Sequence, residues 1–384
     1  MFKTVVRFLL VVLVALSGHG VASGSIRVDE DAVSAELKRL DTELARRNLY
    51  LDARASRIDS LSALVNNRAL PDSVRLGQIM KLADEYNGYL TDSAIVNYSY
   101  GERLAGKIGD KEMAMRFRLK KLSSLPIAGF GAKAVSEFER IPIDSLPVGL
   151  RVEALEAGRQ LYSYQSSFFE NYPEEYRYWL DKSVEMQRRL IELLPEDSDK
   201  YLLNEGEYYL LTGHESEAKA LLLELLERVP HDTNVAARAS GIVSRIAQSR
   251  GDIDEQLYYL ALSSVADIKS ATREMVSLQE LGMALYARHE IMRAYEYLNV
   301  ALQYAVQCNA SMRALQTSEA LPVIADAHRE ALARNRYRLY FVLGVMVLLV
   351  FALVVALFKL RTEMKRMRDL QHVLAGANHI KEMY

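Results

Sequence analysis

Seven histidines and one cysteine are the side chains of this sequence best suited to holding a metal, and their spacing argues against it. No H-E-x-x-H helix face is present, and no Cys/His cluster has the spacing that tetrahedral ligation needs. His372 and His379, two turns apart, could share a helix face, but two ligands do not complete a coordination sphere. The pair reads as solvated surface. Cys308 has no partner for an internal disulfide and reads as a small apolar side chain in a core. The run Gly129-Phe130-Gly131, followed by Ala132 and Ala134, echoes a dinucleotide loop. Such a loop works only after a strand, where its glycines let a helix N-terminus approach a pyrophosphate. No strand pattern precedes this one, so a turn between two helices is expected. Phosphate loops, G-x-S-x-G elbows and kinase signatures are also absent from the sequence. The expectation is a protein that is not an enzyme, with no catalytic residue, no metal and no cofactor.

What remains is a chain built to pack and to bind. It has 384 residues, half of them hydrophobic and a quarter charged, which suits a folded chain. A formal net charge of -2 gives no basic face for nucleic acid. With 8 prolines and 19 glycines, the sequence favours long helices over short strands. The first of these is expected at about residues 31–67. There Leu37, Leu44, Leu51, Ile58 and Val65 recur every seventh residue, with Leu40 and Leu61 on the adjoining seam. Arg47 and Arg54 interrupt that second seam, so the helix should lie against its neighbours rather than form a free coiled coil. Pro71 ends it, and Asp72 or Ser73 can cap the next helix.

Internal periodicity is the informative signal. Gly206, Tyr209, Gly213, Ala218, Leu222 and Pro230 have the spacing of a tetratricopeptide (TPR) helix pair. The small Gly206 and Ala218 allow the two helices to approach, Tyr209 and Leu222 fill the crossing, Gly213 permits the turn and Pro230 stops the second helix. A second copy follows downstream, with Leu278, Leu281, Gly282 and Leu285 in one helix and Ala294, Leu298 and Ala301 in the other. The offset from Gly282 to Ala294 equals that from Gly206 to Ala218. Gly251 and Leu260 mark a weaker unit midway between the two copies. Upstream, Ser183 and Pro195 repeat the spacing of Ala218 and Pro230, while Ala94 and Ala134 read as degenerate second-helix anchors. The expected fold is all-α, a TPR-like solenoid of five to seven helix pairs plus one transmembrane helix. Stacked pairs curve to leave a concave groove lined by first helices. In this register Glu207, Arg245, Gln248, Gln279 and Tyr286 should face it.

Two segments bear on location. Lys3 and Arg7, the apolar run at residues 8–16 and the small residues Val21-Ala22-Ser23 read as a signal peptide over residues 1–23, with an uncleaved anchor as the other reading. Residues 340–358 carry no charge and no proline, and as a helix they rise about 28 Å, the thickness of a hydrocarbon core. A domain at residues 24–335 is then periplasmic, and a basic tail at residues 359–384 is cytoplasmic, the start of a coiled coil. Lys365, Arg366 and Arg368 of that tail suit anionic head groups. Ala352 and Ala356 offer a small-x-x-x-small step for a homodimer through span and tail.

Residues 40–65 (LDTELARRNLYLDARASRIDSLSALV), residues 90–105 (LTDSAIVNYSYGERLA) and the closing ANHIKEMY resemble a Gram-negative family of membrane-anchored TPR proteins. Its members have a signal peptide, periplasmic repeats, one span, a juxtamembrane coiled coil and a C-terminal region of unknown function ending in a helix-turn-helix. The resemblance implies membrane-bound transcriptional regulation, with this chain stopping before the output region. The expected function is therefore the input half of a transmembrane sensor, binding a protein or peptide in the periplasm, with no nucleic acid bound by the residues present. An inner-membrane scaffold for envelope assembly is the alternative.

Overall fold

The computed structural model describes residues 28–67 and 69–381, and of 375–381 the backbone alone. The signal peptide expected at residues 1–23 lies outside the described residues. Among the described residues two helices come first, α1 (Glu30–Ala45) and α2 (Arg47–Asn66). Six helix pairs follow: α3 (Asp72–Tyr86) with α4 (Thr91–Ile108), α5 (Lys111–Ser124) with α6 (Gly131–Phe138), α7 (Val148–Phe168) with α8 (Pro173–Ile191), α9 (Asp199–Leu211) with α10 (Glu215–Arg228), α11 (Asn234–Ser249) with α12 (Ile253–Lys269), and α13 (Val276–Ala287) with α14 (Ile291–Cys308). The last helix, α15, runs Ser311–Lys381. No strand occurs among the described residues.

The helices start where short polar side chains can satisfy free backbone N–H groups. Asp29, Asp110, Ser198, Thr233 and Asp252 each accept from the backbone one turn further on. Before α3 the cap is Pro71 rather than Asp72 or Ser73, and Asp72 instead pairs with Arg75 within the first turn. Within a pair, the crossing is as close as glycine allows. A Cβ on Gly206 would stand 2.8 Å from Leu222 Cγ, and one on Gly282 would stand 2.6 Å from Leu298 Cγ. Ala218, Leu222, Leu285, Ala294 and Leu298 are fully buried, as are the upstream Ala94 and Ala134. Tyr209 is only half-buried, its ring edge meeting Tyr208 and His214 at the rim. The turn between paired helices is left-handed at Gly213 and Gly251, and in the next pair the same place is taken by His289, with φ of 66°.

The helix expected at about residues 31–67 is interrupted at Arg46. The interruption divides its apolar face between two destinations. Val33, Leu37, Leu40 and Leu44 of α1 pack with Leu257 and Leu260 of α12, Leu281 of α13 and Leu298 of α14. Ile58 and Val65 of α2 pack instead with Leu76 and Ile79 of α3 and with Ala94 and Tyr98 of α4. The two N-terminal helices thus strap the first repeat to the last ones. Arg54 fastens this strap. Its guanidinium is buried and donates to four carbonyls, those of Glu85 (2.9 Å) and Asn87 (2.8 Å) at the end of α3 and those of Ser270 (3.1 Å) and Ala271 (3.0 Å) at the end of α12. Beside it, the Arg273 N–H donates to Gly88 O at 2.7 Å and the Arg273 side chain lies 3.8 Å over the Tyr89 ring. Further along, Cys308 meets Thr91, Asn309 donates to Asp92, and the Ser311 N–H donates to Ile127 O at 3.0 Å. The end of the array therefore doubles back onto its beginning.

The chain divides into two units, Met1–Ile324 and Ala325–Tyr384. Among the described residues the second is a stretch of α15 alone, and residues 340–358 are exposed throughout. By length and composition this helix could cross a membrane.

Candidate functional site

The charged residues that matter most stand on first helices of the pairs, and Glu207 on α9 is their centre. Its carboxylate is buried, yet three guanidiniums converge on it. Arg238 of α11 pairs directly with Oε2, Arg159 of α7 stands 3.3 Å from the same oxygen, and Arg245 of α11 stands 3.6 Å from Oε1. The Gln187 side-chain amide of α8 donates to Oε2 at 3.2 Å. Burial alone would raise this carboxyl; Arg238, Arg159 and Arg245 outweigh it and hold Glu207 well below the usual carboxylate range. Arg159, itself buried, is pushed down to about 10 by burial and by its neighbour Arg238. Three cations around one anion leave an excess of positive charge. Glu156 and Lys200, 2.6 Å apart beside this cluster, cancel each other. The surplus is accessible because the Arg245 side chain is 45% exposed and that of Arg238 is 28% exposed.

The next first helix carries the opposite sign. Glu280 of α13 is exposed as a residue, and desolvation at its carboxyl raises it. Arg245 and Arg313 oppose that shift and Glu170 adds to it. Glu274, just before α13, is likewise raised by burial and has Arg313 Nε at 3.9 Å, too long for a hydrogen bond. Gln279 Oε1 is buried without a hydrogen-bond partner among the described residues. Arg313 belongs to the opening of α15 and reaches back to α7, where it lies 5.9 Å over the Tyr164 ring. The helices α7, α9 and α11 are thus joined by their polar side chains, and the opening of α15 separately reaches Glu274, just before α13, and Tyr164 of α7.

Of the residues expected to face the groove, Glu207 and Arg245 are brought together, and Gln279 lies beside Glu280 on α13. Gln248 is exposed near the end of α11. Tyr286 is half-buried and packs against the core shared by α1, α12, α13 and α14. Glu207 and Arg245 are separated by one repeat period, the same step that separates Gly213 from Gly251, so they occupy equivalent places on neighbouring repeats and opposite charges there meet. Arg238 sits two turns before Arg245 on the same helix, a signal the sequence held. Arg159 and Arg313 lie in helices whose repeat register leaves no clear mark, and nothing local in the sequence singles them out.

A second feature lies on α8. Lys182 Nζ stands 4.8 to 5.3 Å from the ring centroids of Tyr178, Tyr162 and Trp179 and 2.7 Å from Glu139 Oε1. The cleft beside it, about 390 Å³, is lined by Tyr162, Tyr178, Asp181, Lys182, Glu185 and Met186. Its aromatic faces are already taken by the chain's own ammonium group, so it acts as a tie between α8 and the end of α6.

No curated protein matches the chain. Residues 44–319, most of the chain and nearly the whole helical array, match the family described as the SusR N-terminal TPR domain, and the chain belongs to that family.

Proposed function

We propose that this chain is the input half of a transmembrane sensor and regulator: a TPR binding module held on the periplasmic side of an inner membrane, occupied by a peptide or protein partner. TPR domains in general serve protein–protein interaction. The observation that carries the reading further is the position of Arg313. The helix that reaches back to α7 with this residue is the same one that supplies the apolar stretch at residues 340–358. A ligand that altered the charge balance around Glu280 and Arg313 would act on the first turn of that helix, the kind of coupling a sensor requires. The tail from residue 359 is then cytoplasmic, and a homodimer through span and tail is part of the reading.

The placement is tested by single cysteines in intact cells. Cys308 is buried beside Thr91 and should stay silent. Ser318→Cys, at an exposed position before the apolar stretch, should react with a membrane-impermeant maleimide, while Lys365→Cys should react only after permeabilisation. Labelling of position 365 in intact cells, or protection of position 318, rejects it.

A further inference from the structure

The carboxylate of Glu207 offers fewer acceptor sites than the guanidiniums around it have donors. Its Oε2 takes Arg238, Arg159 at 3.3 Å and the Gln187 amide at 3.2 Å. Its Oε1 has only Arg245 among the described residues, at 3.6 Å and beyond hydrogen-bond reach. Each guanidinium carries five N–H donors and no acceptor. Arg245 therefore makes no hydrogen bond among the described residues, and the buried Arg159 Nε likewise lacks an acceptor among them. Side-chain exposure rises from Arg159 (6%) and Glu207 (11%) through Arg238 (28%) to Arg245 (45%). Glu207 is thus the floor of the cluster, with Arg159 behind it and Arg238 and Arg245 as the rim. The two rim residues are seven apart on α11, two turns along one face, and both reach the same carboxylate. Gly241 lies between them, and a Cβ there would meet only Ser263 Oγ, at 3.8 Å. Unlike Gly206 and Gly282 it answers no close helix crossing, and it leaves bare backbone between the two forks.

Charge selects what fits. Glu207 and Arg159 both keep their charge at neutral pH, so three guanidiniums less one carboxylate leave two positive charges. No other carboxylate among the described residues lies within ion-pair distance of Arg238 or Arg245. A carboxylate, a phosphodiester or a sulfate ester brings one negative charge, whereas a phosphate monoester brings close to two on three oxygens. We propose that Arg238 and Arg245 hold a dianionic phosphate group, as the free ion or as the monoester of a small molecule, on the solvent side of Glu207. The two planar forks can each take a pair of phosphate oxygens, which an ammonium could not do. The site goes beyond the peptide or protein partner inferred for the array, and its failure leaves that reading standing.

The experiment is calorimetric titration of the full chain in non-ionic detergent micelles at about 0.1 M salt, under alkaline conditions that fully ionise a monoester. Methyl phosphate or inorganic phosphate should saturate below about 10 mM, and the tighter of the two tells the ester from the free ion. Dimethyl phosphate, with one charge, should bind at least about tenfold more weakly. Arg245→Gln should weaken the dianion about tenfold, the loss of one charge-assisted contact, and bring it level with dimethyl phosphate. Arg250→Gln removes an exposed arginine just past the end of the same helix, one that pairs with Glu215, and should leave binding unchanged. No saturation by either dianion overturns the proposal. Dimethyl phosphate binding as tightly as methyl phosphate also overturns it, in favour of a phosphodiester such as a lipid head group. Succinate binding as tightly overturns it in favour of a dicarboxylate, and equal losses in Arg245→Gln and Arg250→Gln reduce it to diffuse attraction. The ligand comparisons need only the native chain, so they decide the matter even if a variant fails to fold.

Discussion

Asp267, near the end of α12, is a carboxylate with a cost and no compensation. Burial raises it to about 7, and no cation among the described residues offsets that rise. The unfolded chain releases this proton near pH 4, the folded chain only near pH 7. Between those values the folded state holds more protons, so stability is greatest at the acid end and falls as pH rises toward 7. The expected penalty above pH 7 is on the order of 2–4 kcal/mol. Asp267→Asn should therefore raise the melting temperature at pH 8 and leave it level or lower at pH 4. A variant equally stabilised at both values would show that packing, not ionisation, is responsible. His289 is a second residue under tension, since an imidazole-bearing residue sits at φ of 66° where the two preceding repeats use glycine. His289→Gly is expected to stabilise the fold by about 1 kcal/mol, read as a shift in denaturation midpoint.

Among the elements, the strap made by α1 and α2 departs most from a plain repeat array. Stacked repeats touch only their neighbours, but here Arg54 joins the end of α3 to the end of α12. Arg54→Met would leave four helix-terminal carbonyls without a donor and should cost about 3–5 kcal/mol. Arg54→Lys should recover little of this, because a single ammonium cannot fork to carbonyls on two helices. Chemical denaturation of the variants checks both expectations, and an unchanged midpoint for Arg54→Met would show that the apolar face alone holds the strap. The sequence foretold Arg54 only as a defect in a heptad seam. Its partners are backbone carbonyls distant in the chain, from Glu85 to Ala271, and no side-chain pattern can announce a backbone acceptor. The apolar repeat of the same helix was legible throughout, since Leu37, Leu44, Ile58 and Val65 are all buried. What it could not show was the change of partner at Arg46.

Across the whole molecule, the pairs were readable wherever glycine and alanine mark close crossings. Gly206 with Leu222 and Gly282 with Leu298 are such marks, because steric exclusion leaves few residue types at those positions. Upstream pairs use other small side chains, as Ser183 does on α8, where its hydroxyl donates to Arg159 O. Those are weaker marks because serine is tolerated in many places. The polar cluster was legible in the two members that keep the repeat register, Glu207 and Arg245; Arg159 joins it from a helix with no such mark, and the return of Arg313 to α7 is a long-range contact. The strap also sets an order of events during synthesis. Leu37, Leu40 and Leu44 emerge early, yet the first of their partners, Leu257 on α12, is made only after four of the helix pairs between them. At about 5–20 residues per second, α1 waits roughly 10–50 s with its apolar face uncovered. For that interval α1 is a client for a chaperone, and the repeats from α12 onward are what release it.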